Sequence, residues 1–148
     1  MSLLIRPFQL SDQPAVKKLV LAGLVDHWKV LDPTKNPDLD DIQNHYKNST
    51  FLVVQENDRI LGCGALVPRS LETAEIVRMS VDSSTRRRGI GSLILQRLRQ
   101  EARQQGFKEV ILETTDTWQE VIAFYLHNGF HITHYQNGNV YFSIDITD

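Results

Sequence analysis

Apolar residues recur along this 148-residue chain with two distinct periods. Alternation or short continuous apolar runs predict strands at Leu3–Pro7, Phe51–Gln55, Ile60–Val67, Glu75–Val81 and Glu109–Thr114. Helical spacing of Val16, Leu19, Val20 and Leu24 predicts a helix from a Ser11-Asp12 cap to about Leu24. The same spacing of Ile90, Leu93, Ile94, Leu98 and Ala102 predicts a helix over Gly89–Gln105, stopped by Gly106. Shorter helices are expected at Leu39–Tyr46 and Gln119–Asn128, the former preceded by a polar segment from Asp26 to Pro37. Glu56-Asn57-Asp58-Arg59 reads as one hairpin turn, and Asn137-Gly138 as another, joining His131–Gln136 to Val140–Ile146. The order β-α-α-β-β-β-α-β-α-β-β predicts an α/β fold, a mixed central sheet with flanking helices. With no repeat or linker, residues 1–148 read as one domain, large enough to bury a core.

The junction from Met79 to Leu95 concentrates the chemistry. A strand runs into Arg86-Arg87-Arg88-Gly89-Ile90-Gly91-Ser92, where a helix begins. A helix start leaves its first N–H groups without intrahelical acceptors, at the positive end of the dipole. Gly89 and Gly91 let an anion approach those N–H groups, and three arginines add charge-assisted donors, so the turn reads as a pyrophosphate cradle. A dinucleotide turn would need a third glycine, and a phosphate-binding P-loop a Lys-Ser or Lys-Thr, neither of which is here.

Arg86-x-x-Gly89-x-Gly91 after a strand resembles the coenzyme A signature of the GCN5-related N-acetyltransferases. Downstream, Tyr125-Leu126-His127-Asn128-Gly129-Phe130 resembles that family's late Tyr-x-x-x-Gly-Phe element, and the element order resembles the family fold from end to end. The resemblance implies acetyl-CoA as cosubstrate, held by N–H groups of Arg87, Gly89, Gly91 and Ser92, with Arg86, Arg88 and Ile90 in the same turn. It implies a Met79 N–H for the thioester carbonyl, Val81 gripping pantetheine, and Tyr125 donating a proton to the departing thiolate. It also implies that strands Glu75–Val81 and Glu109–Thr114 splay apart around the pantetheine arm. Glu75, in Ala74-Glu75-Ile76-Val77, stands where GCN5-type histone acetyltransferases carry their catalytic glutamate; a water relay is the alternative base, and Glu113 a second candidate. Strand alternation would set Glu75 on one face with Val77, Met79 and Val81. Trp118 stands where the family often has an asparagine that touches the cofactor.

Composition narrows the classes. A net charge of −2 opposes general nucleic-acid binding, although Arg97, Arg99 and Arg103 share a helix with the cradle. No membrane-length apolar run or signal peptide is present, so a cytoplasmic location is expected. A lone Cys63 excludes an internal disulfide, and the five histidines lack metal spacing, so no metal is expected. With no nucleophile placed for an acyl-enzyme, direct transfer to a primary amine in a ternary complex is expected. The amine belongs to a small molecule, a peptide N-terminus or a lysine. The acceptor wall is expected from Asp26–Asp41, with His27 and Trp28, or from the last hairpin with His131, His134, Tyr135 and Tyr141. The alternative is a non-catalytic acyl-CoA sensor, which would keep the cradle and lose acid and base. The family resemblance also makes a homodimer possible.

Overall fold

The computed structural model describes residues 3–28, 36–85 and 88–146, the side chains of 26–28 excepted. Seven strands form one sheet in the order β1-β2-β3-β4-β5-β7-β6. They are β1 (Leu4–Pro7), β2 (Thr50–Glu56), β3 (Arg59–Pro68), β4 (Thr73–Val81), β5 (Glu109–Thr115), β6 (His131–Gln136) and β7 (Asn139–Asp145). The helices are α1 (Gln13–Trp28), α2 (Ile42–His45), α3 (Ile90–Gln104) and α4 (Gln119–His127). Every strand pair is antiparallel except β4 with β5. The expected mixed sheet with flanking helices is therefore present.

Each face of the sheet has its own core. On one, Ile90, Ile94, Leu95 and Leu98 of α3 and Ile122 and Tyr125 of α4 pack on Leu52, Ile76, Leu112 and Phe142. On the other, Val16 and Val20 of α1 and Ile42 of α2 pack on Phe51, Val53, Cys63 and Ala65. Sequence alternation in the strands produces this division, because successive side chains leave opposite faces.

Three local differences from the sequence reading have physical causes. Asp12 does not cap α1 alone; it closes a 3-10 turn, Leu10–Asp12, by accepting the Gln9 N–H at 2.8 Å while pairing with Arg6 at 2.7 Å. The helix expected over Leu39–Tyr46 is a 3-10 turn at Pro37–Asp40 and then α2, because the side chain of Asp41 interrupts the run by accepting the Asn44 N–H. Third, β4 carries a bulge: opposite β3 the register shifts between Cys63 and Ala65, and Arg78 takes φ 57°. A positive φ in a non-glycine strand residue costs about 1–3 kcal/mol and must be held by its surroundings.

Gly64, across from that bulge, is explained by close approach. A Cβ there would meet Met79 Sδ at 2.7 Å, Ile94 Cγ2 at 2.9 Å and Leu98 Cδ1 at 3.1 Å. Gly64→Ala is expected to force α3 off the sheet and to lower unfolding stability by about 1–3 kcal/mol in denaturant titration, as overpacking does.

Candidate functional site

β4 and β5 pair over Thr73↔Glu109, Ala74↔Val110 and Glu75↔Ile111 only. Beyond Glu75 they part, and a bulge bends and twists its strand in the way this parting requires. The gap is a cleft of about 800 Å³. The sides are formed by Met79 and Val81 on β4, Thr114 on β5, Gly89–Ser92 at the start of α3, and Trp118, Phe124 and Tyr125 at α4. The splaying expected from the family resemblance is present.

The helix start forms as its residues dictate. Gly89 caps α3 at φ 78°, a left-handed conformation that favours glycine, and open space surrounds the position a Cβ would take. Leu93 N–H reaches back to Gly89 O at 3.0 Å, so the N–H groups of Ile90, Gly91 and Ser92 belong to the uncompensated first turn. Gly91 is different: a Cβ there would lie 3.0 Å from Phe124 Cζ, so α4 packs against this glycine. Both glycines were singled out for anion approach, yet only Gly89 is bare.

Arg86 and Arg87 lie outside the described residues. Arg88 does not join the cleft; its Nη2 donates to Glu56 Oε2 at 2.7 Å, which ties the turn to the β2–β3 hairpin. Of the arginines on α3, Arg97 lies 3.8 Å from Glu101, Arg99 donates to Asn128 O, and Arg103 donates to Ile146 O.

Tyr125 comes from α4, which ends through Phe130 N–H bonding to Tyr125 O at 3.1 Å, with Gly129 at φ 94°. Its ring packs beside Phe124, Phe130 and Phe142, and only 7% of the residue is exposed. Among the described residues the hydroxyl has no hydrogen-bond partner, yet none of their buried polar side-chain atoms lacks one. The hydroxyl is therefore open, and the cleft is what reaches it. Burial pushes this phenol up to about 12.

The bulge overturns one expectation outright. Ile76, Met79 and Val81 pack toward the α3 core, whereas Val77 packs toward the α1 core. Glu75 thus shares a face with Val77 but not with Met79 and Val81. It lines a second hollow of about 450 Å³, together with Asp38, His45, Tyr46, Arg69, Arg78 and Glu113. There its Oε1 accepts from Arg69 Nε at 2.7 Å, and Oε2 has no protein hydrogen bond. Ile76, Val77, Arg78 and Glu113 line both cavities and form the partition between them.

Asp38, Arg78 and Tyr46, all beside this partition, form a cluster that the sequence reading did not show. Asp38, just before the helix expected from Leu39, is buried, its two oxygens taking Arg78 Nε at 2.9 Å and Nη2 at 2.7 Å. Tyr46 O–H adds a 2.6 Å bond to Asp38 Oδ2. Burial works against the charge on Asp38, but bonds from Arg78 and Tyr46 outweigh it and hold the carboxyl below its ordinary 3.8. Nothing local marks this pairing, because its members stand 40 residues apart.

Residues 20–130 match the model of the acetyltransferase (GNAT) family. The chain belongs to that family. Over 103 residues it is 31% identical to Probable N-acetyltransferase 14 of Xenopus tropicalis, covering 67% of this chain and 50% of that protein. It is 26% identical to the uncharacterized N-acetyltransferase YjgM of Escherichia coli over 141 residues, covering 90% of this chain and 84% of that one. The chain thus spans about half the length of the frog relative and most of the bacterial one. The fold matches the crystal structure of PaiA N-acetyltransferase of Thermoplasma acidophilum in complex with coenzyme A, with TM-score 0.84 and 15% identity, over 98% of this chain and 99% of that one. The likeness to that structure is one of fold. The cleft of this chain, with an uncompensated helix start and a tyrosine among its lining, is suited to a ligand such as coenzyme A.

Among the described residues no cluster of three metal-binding side chains occurs, and no helix is long and apolar enough to cross a membrane. Of the expected acceptor wall at Asp26–Asp41, residues 29–35 and the side chains of 26–28 lie outside the described residues, and Asp38 lines the second hollow. In the last hairpin, the other expected wall, His134 stacks on Tyr141 at 4.3 Å and Tyr141 stands opposite Glu113 in register, but His131, His134, Tyr135 and Tyr141 line neither cavity.

The low value of Asp38 has a testable consequence. A carboxyl depressed in the folded state stabilises above its unfolded pKa and loses that contribution as pH falls through the folded one. The stability gap between wild type and Asp38→Asn should be full at pH 7. It should shrink below about pH 4 in urea titrations, as the wild-type carboxyl protonates.

Proposed function

We propose that the protein is an acetyl-CoA-dependent N-acetyltransferase that acetylates a primary amine by direct attack in a ternary complex. The observation that carries this reading is the parting of β4 from β5, with a bare helix start at one end and the Tyr125 hydroxyl opening into it. Acetyl-CoA supplies the activated thioester; the chain supplies position and protons. The first-turn N–H groups of Ile90, Gly91 and Ser92, behind the bare Gly89, bind the pyrophosphate, as the family turn implies also for Arg86 and Arg87. Arg88 acts on that turn through Glu56 rather than by touching phosphate. The Met79 N–H donates to the developing oxyanion, and Val81 packs on the pantetheine arm.

Tyr125 holds the proton that the leaving thiolate takes. A phenol pushed up to about 12 stays protonated throughout the physiological range, so it serves as an acid without prior charging. The acceptor amine enters by the second hollow, where Glu75, anchored by Arg69, takes its proton directly or through one water. Glu113 and Val77 border both that hollow and the cleft. Three carboxylates against two arginines make the hollow attractive to a cation.

Calorimetric titration with acetyl-CoA, followed by an amine panel read through free-thiol release, tests the reading. Binding with acceptor-dependent thiol release is expected. Binding without release on any amine would favour the sensor alternative, and no binding would overturn the cradle. Gly89→Glu or Gly91→Glu should abolish binding, the first by charge at the pyrophosphate and the second also by collision with Phe124. Tyr125→Phe should leave acetyl-CoA affinity unchanged and lower kcat about a hundredfold, the ordinary loss for a general acid. The wild-type rate should show no alkaline loss from this tyrosine below pH 9.

A further inference from the structure

Arg78 combines two features that stability alone does not call for. A bulky residue holds a left-handed backbone in mid-strand, where glycine would sit without strain, and its guanidinium is drawn into a largely buried ion pair. Buried ion pairs add little to stability compared with apolar packing, because desolvation offsets their attraction; what they do supply is fixed geometry. Here the geometry is a fork on a carboxylate: Arg78 Nε and Nη2 on Asp38, the same Nη2 on Asn36 Oδ1 at 3.0 Å, and Tyr46 O–H closing the far side of Asp38. Asp38 and Tyr46 belong to the segment that walls the second hollow, and the residue after Arg78 is Met79, which lines the cleft. The clasp spans the partition between the two cavities.

We propose that the Arg78–Asp38–Tyr46 clasp is the positioning device of the transfer, with Arg78 a positioning residue rather than a catalytic one. It holds the β4 bulge in the orientation that turns the Met79 side chain and peptide toward the cleft. It also fastens the acceptor-side wall, residues 36–46, to that same peptide. Acceptor and acetyl group are thereby placed in one frame, and a misplacement of about 1 Å between them is enough to cost up to a hundredfold in rate. This inference rests on the proposed function.

The test uses Asp38→Asn, Arg78→Gly and Tyr46→Phe in the full chain. Arg78→Gly relieves the backbone strain while deleting the clasp; Asp38→Asn keeps the shape and removes the charge; Tyr46→Phe removes one bond and is the variant most certain to fold. Acetyl-CoA affinity is expected to stay within about threefold of wild type, while acceptor kcat/KM falls at least tenfold in the first two variants and less in the third. Added guanidinium ion is expected to restore part of the Arg78→Gly rate, which generic loosening would not allow. Hydrogen exchange provides a readout without turnover: in Asp38→Asn, protection should fall together in residues 36–46 and 77–80 and hold elsewhere. Wild-type acceptor kinetics in Arg78→Gly, or loss of protection in only one of the two segments, would overturn the clasp. A wild-type protein that binds no acetyl-CoA would instead overturn the proposed function, and the exchange result would still decide whether the two segments are coupled.

Discussion

One constraint organises this molecule: β4 is paired with β3 along its length except at the bulge, and with β5 only over Thr73–Glu75. A backbone N–H or C=O left without a ladder partner must find another, and buried ones almost always do. Past Glu75, the β5-facing edge of β4 offers those groups to the cleft. On its other edge β5 is zipped to β7 over its whole length, and α3 and α4 pack in one core with both β4 and β5. Binding capacity therefore comes from interrupted pairing of the backbone. The side chains around it supply shape, and the helix start at Gly89 adds the positive end of a dipole.

Electrostatics divides the two cavities along the same line. Among the described residues the cleft is lined mainly by apolar side chains and backbone, whereas the hollow holds Asp38, Glu75 and Glu113 against Arg69 and Arg78. Of the three cradle arginines, Arg88 is engaged with Glu56 and the other two lie outside the described residues; further along α3, Arg99 and Arg103 donate to carbonyls.

Periodicity was enough to reveal the sheet, both long helices and the Asn137-Gly138 hairpin, whose two residues take φ 53° and 81°. The Gly129 stop and the placement of Tyr125 were legible because both depend on local geometry. The bulge was not. Ile76-Val77-Arg78-Met79 reads as unbroken alternation, and an arginine gives no hint that its φ is positive. That single inserted residue turned Met79 and Val81 away from Glu75, so a correct strand led to a wrong face. Asp38 failed for a related reason: an aspartate before a short helix looks like a cap, and its real partner is set by tertiary folding. Gly62 and Gly64 were visible as glycines beside Cys63, but the α3 side chains that require them came from thirty residues away.

Two ionisable groups are pushed to about 12 by the same cause, and the consequences are opposite. Cys63 is wholly buried in the α1-side core and lines neither cavity. Burial keeps it a thiol, and a thiol without access is no nucleophile, so Cys63 is not placed to carry an acyl group. Tyr125 is also buried, but its oxygen meets the cleft, so the same desolvation keeps a proton available where a thiolate would be released. Burial alone thus distinguishes nothing; access decides. The pairing of an inaccessible thiol with an accessible phenol is what favours direct transfer over a covalent relay, and it follows from one packing difference: β3 is covered on both faces, while α4 presents one end to the gap.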